Sequence, residues 1–440
     1  MVPDSICIIG AGVFGLSTAI ALAKRYPNVK VTVVDRFEPP VQDATSVDTT
    51  RCLRVDYKDP VYAKLAKESL EIIKADPDIS PFFHQTGMSF VYDGGNDKWA
   101  DIWINGKISA EKSNSDTPGM MKYYDSPEEV YKSIHTVAKT PTVSHPTWLK
   151  GYTNYSNGFI DAERSVKAYY ERAKKLPSVN FVFKPVEQLL FASGTNTAEG
   201  VLFGDGSLLK ADLVIVAAGA WSCKLVDLEG VCFSSAIEVA WFKVTPEEEE
   251  QWKNMAITTN LSTGINLFPP YNGEIKCLRR SPGYRNTQAV PHPDPAKDES
   301  ISISYPRTII DHPADWIPQD AEDALRHNLA EIMPPLAERP FDRTKLCWLT
   351  QTPSANFIID HHPALQNVVL ATGGSAHAWK FVPILGDKVV DLLEDKLDPV
   401  LKDMWSYAEK LRPTTDNGSA PRMDGQPQEL VSVVRNKPVN

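Results

Sequence analysis

Apolar residues fall in two rhythms along the chain. Short unbroken runs bounded by turn residues predict buried strands: Ile6-Cys7-Ile8-Ile9, Val31-Thr32-Val33-Val34, Leu213-Val214-Ile215-Val216 and Val368-Val369-Leu370-Ala371. Helical spacing predicts helices over 16–25, 60–75, 162–175 and 382–394, and around Leu325, Leu329 and Ile332. In 60–75 the apolar positions are Tyr62, Leu65, Leu70, Ile72 and Ile73. Further strands are expected within 82–93, at 179–183 and 200–203, in alternating form at 237–243, 264–268 and 275–278, and at 347–350 and 357–360. Asp205-Gly206 predicts a hairpin turn. Residues 94–147 show neither rhythm and are expected to be irregular. The last stretch, 412–440, is rich in Pro, Asn and Gly and reads as a loose tail.

The first 35 residues form one unit: strand, glycine turn, Ala/Leu-rich helix, strand, acid. Each glycine in Gly10-Ala11-Gly12-Val13-Phe14-Gly15 has its own task. Gly10 allows the tight turn. Gly12 lets a pyrophosphate approach the backbone at the helix N-terminus. Gly15 lets helix and sheet pack closely. Asp35 ends the second strand, where an acid can hold ribose hydroxyls. The unit predicts dinucleotide binding but does not separate FAD from NAD. Ala217, Ala218 and Gly219, small residues at the end of a buried strand, suit a cofactor lying against backbone.

A chain of 440 residues suits two domains. Its formal charge of -10 argues against nucleic acid and anionic membranes as partners. No apolar run reaches the roughly 18 residues of a membrane span. The first strand begins almost at once, so no signal peptide is expected. Six scattered cysteines without CxxC spacing predict neither a disulfide framework nor a metal site. The expected setting is reducing and cytoplasmic.

Four stretches together resemble the monomeric sarcosine oxidase and fructosyl amino acid oxidase family of FAD-dependent amine oxidases. They are Gly10–Gly15, the Arg51-x-x-Arg54 pair, the run Ala211–Ser222, and the Cys347–Asp360 segment followed by Ala371–Phe381. The resemblance spans about 5–410 and implies FAD. It implies an α/β (α+β) fold: a glutathione-reductase-like FAD-binding Rossmann domain (1–83, 148–224, 346–411) and a substrate domain on a mixed, largely antiparallel sheet (84–147, 225–345). It implies a monomer that takes a small-molecule amino acid and O2. Secondary amines bearing a carboxylate are oxidised to imines, and two electrons reach O2 as hydrogen peroxide.

The same resemblance assigns roles. Cys347 carries the flavin through a thioether, where a bare reading allows a buried core cysteine. Arg54 and Lys380 bind the substrate carboxylate, which suits a guanidinium fork; a surface salt bridge is the plain alternative for Arg54. Arg51 lies over the flavin ring or else holds the polar loop 38–50. Lys276 lies over flavin N5 and serves oxygen reduction, although a strand lysine ordinarily faces solvent. Cofactor contacts fall to Gly10, Gly12, Val13, Phe14, Gly15, Asp35, Arg36, Thr50, Arg51, Val186, Ala218, Gly219, Trp221, Cys347, Gly374, Ala376, His377 and Lys380.

The departures bear on substrate. Arg280 stands where fructosyl amino acid oxidases have a sugar-binding glutamate and sarcosine-type enzymes a histidine. A cation cannot accept hydrogen bonds from sugar hydroxyls. Arg280 therefore suggests a larger or more acidic amino acid, or an arginine turned away. Trp379 replaces a phenylalanine and reshapes the surroundings of Lys380. The reading is an oxidase of N-substituted or cyclic secondary amino acids. Chain length and Ser281-Pro282-Gly283-Tyr284 favour a fructosyl amino acid oxidase as the alternative. A flavin binder without turnover has no need of Arg54, Lys276 and Lys380.

Overall fold

The computed structural model describes residues 2–95, 97–138, 147–294, 297–412, 423 and 425–438. It builds two main sheets that face each other across a cleft. The first has six strands in the order Ile358–His361, Val368–Thr372, Leu213–Val216, Ser5–Ile9, Lys30–Asp35, Val179–Phe183. All neighbours are parallel except the first pair. Helices cover one face, and a three-stranded antiparallel sheet (Val186–Phe191, Ala198–Phe203, Leu208–Lys210) covers the other, so its strands are buried on both sides and read as unbroken apolar runs. Helix Val13–Arg25 supplies the first crossover and lies against helix Val382–Leu393. Their approach is close. A Cβ on Gly386 would sit 2.0 Å from the Ser17 carbonyl oxygen. The Ser17 hydroxyl donates to Val382 O (2.6 Å) and accepts from the Gly386 N–H (2.7 Å).

The second sheet has ten strands among the described residues and is mostly antiparallel. Its hub is the Phe233–Lys243 strand, paired with Glu274–Arg279 on one side and Arg343–Gln351 on the other. Register then decides which side chains share a face. Lys276 lies opposite Trp241, and Cys347 opposite Ile237. Trp241 and Ile237 are four residues apart on one strand and so point the same way. Leu278 and Arg280 follow Lys276 at intervals of two, on that face. The other face carries Ala240, Phe242, Ile275, Cys277 and Trp348, packed against the Gln319–Ile332 helix.

Three expectations change. Residues 94–147 were expected to be irregular. Where described they form helix Asp97–Ser113, strand Met121–Tyr124 and helix Pro127–Ala138; residues 96 and 139–146 lie outside the described residues. Charged residues on the outer face mask a buried set of Trp99, Ile102, Trp103 and Ala110 at helical spacing. The Cys347 segment was placed with the nucleotide half. It is a strand of the second sheet, and the chain rejoins the first sheet only at Ile358–His361. An apolar strand's sheet is chosen by its partner, which local sequence does not state. The tail beyond 412 is folded where described. Gln428–Glu429 joins the second sheet, Arg435–Asn436 pairs with Asp315–Trp316, and Leu430 is fully buried. Residues 413–422, 424 and 439–440 of that tail lie outside the described residues. Among the described residues no helix is long and apolar enough to cross a membrane.

Candidate active site

The glycine turn opens one end of the cleft. Gly10 has φ +107°, and a Cβ there would lie 2.4 Å from the Ala217 carbonyl oxygen. A Cβ on Gly15 would lie 1.8 Å from Gly10 O, so helix and turn could not approach with any larger residue. Gly12 caps the helix without a side-chain partner, and the Val13 N–H donates to Ser46 Oγ (3.1 Å). The Asp35 carboxylate accepts from the N–H groups of Ala11 and Arg36, both at 2.7 Å. Burial pushes its carboxyl up, and those two donors oppose the shift. Arg36 pairs with Asp43 (2.7 Å) and lies 4.2 Å from the Trp221 ring centroid.

Further in, a first group of cations gathers on one acid. Arg51 Nη1 and Lys276 Nζ (3.0 Å) both pair with Asp48 Oδ2. Lys276 also donates to Thr50 O and lies over the Phe268 ring at 4.3 Å. Arg51 Nη2 donates to Thr45 O (2.8 Å) and reaches Cys347 Sγ at 3.5 Å. Burial lowers Lys276 to about 8, with Asp48 pulling the other way. Burial also works to raise Asp48, but Arg51, Lys276 and Lys345 overcome it and hold the carboxyl well below its usual range.

A second group has one acid only at its edge: the buried Asp56 carboxylate, taken up by the amides of Asn154 and Asn157, acts on Arg54 from beyond ion-pair distance. Arg54 lies 4.3 Å from the Tyr57 ring centroid and donates to Asp56 O. Lys380 Nζ donates to Tyr57 Oη (2.9 Å) and His377 O (3.0 Å). Arg280 stands on the second-sheet wall; with the Asn266 amide oriented so that its nitrogen donates to Ile265 O (3.0 Å), the amide oxygen accepts from Arg280 Nη2 (3.0 Å). Among the described residues none of the three makes an ion pair. Burial lowers Lys380 well below its usual value, and Arg54 and Arg280 add repulsion. Burial and then Arg54 bring Arg280 down to about 10.

The cleft brings together nearly every residue singled out in the sequence. Gly10, Gly12, Val13, Phe14, Asp35, Arg36, Thr50, Arg51, Arg54, Val186, Ala218, Gly219, Trp221, Arg280, Cys347, Gly374, Ala376, His377 and Lys380 all line it. Gly15 and Lys276 do not. Gly15 serves helix packing, and Lys276 is buried behind the wall with Asp48. Arg280 faces the cleft and is not turned away. Sequence reasoning passed over Asp48, Ser46, Tyr57 and Asn266. An acid three residues before Arg51 was the one available signal, for Asp48. Ser375 and Ala376 take φ of 45° and 64°, uncommon for residues other than glycine. They bend the loop between Gly374 and Lys380 around the cleft.

Residues 5–392 match the family model described as FAD dependent oxidoreductase. The chain is 28% identical to the amino acid oxidase fsqB of Aspergillus fumigatus, covering 89% of this chain and 92% of that one. It is 28% identical to L-saccharopine oxidase of Schizosaccharomyces pombe, over 92% and 93% of the two chains. Its structure is similar to that of a modified fructosyl peptide oxidase from Aspergillus nidulans, with TM-score 0.86, 27% identity and 99% of each chain covered.

Proposed function

The chain belongs to the family of FAD-dependent oxidoreductases, and on that premise we propose that it oxidises secondary amino acids, N-substituted or cyclic, to imines and reduces O2 to hydrogen peroxide. The observation that carries this reading is the group of Arg54, Lys380 and Arg280, none of them in an ion pair among the described residues, in the same cleft as the glycine turn. Buried cations without a counter-charge attract an anion, and an amino acid substrate brings one in its carboxylate.

The residues present fit FAD. The helix N-terminus behind Gly12, where only the Val13 N–H is engaged by a side chain, Ser46, suits a pyrophosphate. Thr50 Oγ1 is buried in the cleft wall without a hydrogen-bond partner among the described residues. Asp35, at the end of the second strand, would hold the ribose. Cys347 Sγ, 3.5 Å from Arg51, would carry the covalent link. When bound, FAD supplies a two-electron acceptor for the amine C–H and a donor for oxygen.

The chain's own residues do the rest. Arg54 and Lys380 hold the carboxylate and so aim the α C–H. Tyr57 fixes both cations, through its ring and its hydroxyl. Lys276, near pH 8 in its titration, holds a proton and a positive charge against the cleft wall, where negative charge develops during oxygen reduction. Asp48 keeps that lysine and Arg51 in place.

The likeness to a fructosyl peptide oxidase supports a second reading, a fructosyl amino acid oxidase, and Arg280 counts against it. Peroxide release measured over a panel of N-methyl, cyclic and fructosyl amino acids decides between them. Turnover of secondary amino acids with poor turnover of fructosyl-valine and fructosyl-lysine is the expected result. Fructosyl substrates matching the best secondary amino acid would establish the second reading. Flavin without turnover of any of them would leave only a binder.

A further inference from the structure

Arg280 is a third cation where one carboxylate needs two. Arg54 and Lys380 share Tyr57 and sit on the side of the cleft formed by the loop after residue 50 and by the last glycine loop. Arg280 comes from the opposite wall, at the end of the Glu274–Arg279 strand, with its guanidinium braced by Asn266. Its backbone is clamped on both sides. Its N–H donates to Gly264 O (2.8 Å), and its carbonyl accepts from the Met423 N–H (2.9 Å). The guanidinium is thus a fixed feature of the wall. Among the described residues no acid neutralises it.

We propose that Arg280 forms a subsite for a second carboxylate, and that the substrate is an amino acid whose secondary nitrogen carries an arm ending in a carboxylate. This inference rests on the amine-oxidase reading above. One carboxylate bound at Arg54 and Lys380 leaves Arg280 uncompensated in a partly buried wall. A second carboxylate reaching it satisfies the guanidinium bidentately, in the geometry its fork favours. The nearness of three like charges supports the same conclusion, since burial and Arg54 have already lowered Arg280 to about 10. A sugar arm supplies no such charge.

The reaction balances without a new reagent. The substrate's C–H and N–H bonds break, giving up two protons and two electrons in all, and C=N forms. O2 takes up two electrons and two protons as hydrogen peroxide. Water then adds to the imine and releases a primary amine and a carbonyl compound, one of which keeps the second carboxylate.

The test uses the full-length holoenzyme and two matched series: N-(carboxyalkyl) alanines with arms of one to three methylenes, and N-alkyl alanines of the same lengths. kcat/KM should favour the best carboxylate arm over its N-alkyl counterpart by ten- to a hundredfold. Arg280→Gln should remove that ratio, mainly through KM, and Arg280→Lys should restore part of it. An independent readout is thermal stability: an N-(carboxyalkyl) alanine should raise the wild-type midpoint more than its N-alkyl counterpart does, and Arg280→Gln should erase the difference. N-alkyl alanines turned over as well as carboxylate arms, with a ratio that Arg280→Gln leaves unchanged, would overturn the subsite and leave the amine-oxidase reading standing. Turnover of neither series, nor of any other secondary amino acid, would overturn that reading itself.

Discussion

Two groups of cations stand in or against one cleft under opposite electrostatic rules. Arg51 and Lys276 converge on Asp48, a carboxylate with a fully buried side chain. Arg54, Lys380 and Arg280 hydrogen-bond to a phenol, an amide and backbone carbonyls, none of which carries charge, and the nearest acid, Asp56, is taken up by two asparagine amides and makes no ion pair with the three cations. Both groups include buried members, so burial does not explain the difference. The paired group is complete as it stands. Its charges are held in fixed positions and are suited to a transition state. The unpaired group carries a standing electrostatic cost that an anionic ligand relieves. Where a protein supplies the counter-charge it builds a permanent field, and where it withholds one it builds a binding site.

The contrast can be broken at its edges. The largest effect is expected at Cys347, which touches the paired group through Arg51. Acid-precipitated wild-type protein should keep its yellow colour in the pellet, and Cys347→Ser should release it entirely to the supernatant. Colour released equally from both would remove the covalent link.

Asp48→Asn attacks the pairing itself. Two buried cations lose their partner, at a cost of about 3–5 kcal/mol of stability. Denaturant unfolding of the holoenzyme should show it, and a loss under about 1 kcal/mol would mean that Asp48 is not the counter-charge it looks to be.

Lys276→Met should slow the oxidative half-reaction by on the order of a hundredfold and the reductive one far less. The pH dependence follows from the lowered value. Lys276 is charged below about pH 8 and neutral above it. The oxidative rate should therefore fall as pH rises through about 8 in the wild type and stay flat in the variant. Slowing confined to the reductive half-reaction would reject this role.

In the unpaired group, Arg54→Ala removes a charge-assisted hydrogen bond of about 1.5–3 kcal/mol and should weaken amino acid binding roughly ten- to a hundredfold. FAD should remain bound. The preference for an amino acid over its decarboxylated amine should shrink with it, and an unchanged preference would dissolve the carboxylate clamp.

The smallest effect carries the sharpest contrast. Arg280→Gln deletes a cation whose charged form folding disfavours, as its value near 10 records. Without substrate the holoenzyme should unfold at an unchanged or higher midpoint, by about 1 kcal/mol or less. Destabilisation as large as that of Asp48→Asn would show that both groups are paired.

The amino-acid sequence by itself determined the parts list. The glycine turn, its helix and Asp35 are contiguous, so local periodicity and φ requirements announce them. The same holds for the parallel strands, buried on both faces and therefore apolar throughout. Arg51, Arg54, Lys276, Arg280, Cys347 and Lys380 were all legible as candidates. Their relation to one another was not. Asp48 lies in a polar loop with no periodicity, and only the fold brings it to Lys276, 228 residues away. Lys276 on an alternating strand reads as a surface lysine until Asp48 and Thr50 of the polar loop and the Phe268 ring close over it. Cys347, Lys276 and Arg280 lie on one face of the second sheet because three strands pair in a single register around Phe233–Lys243, and a slip of one residue would turn each of them to the other side. Propensity and hydrophobic pattern act between neighbours along the chain. Register, burial and the presence or absence of a counter-charge are settled between residues far apart in it, and only the tertiary structure decides those.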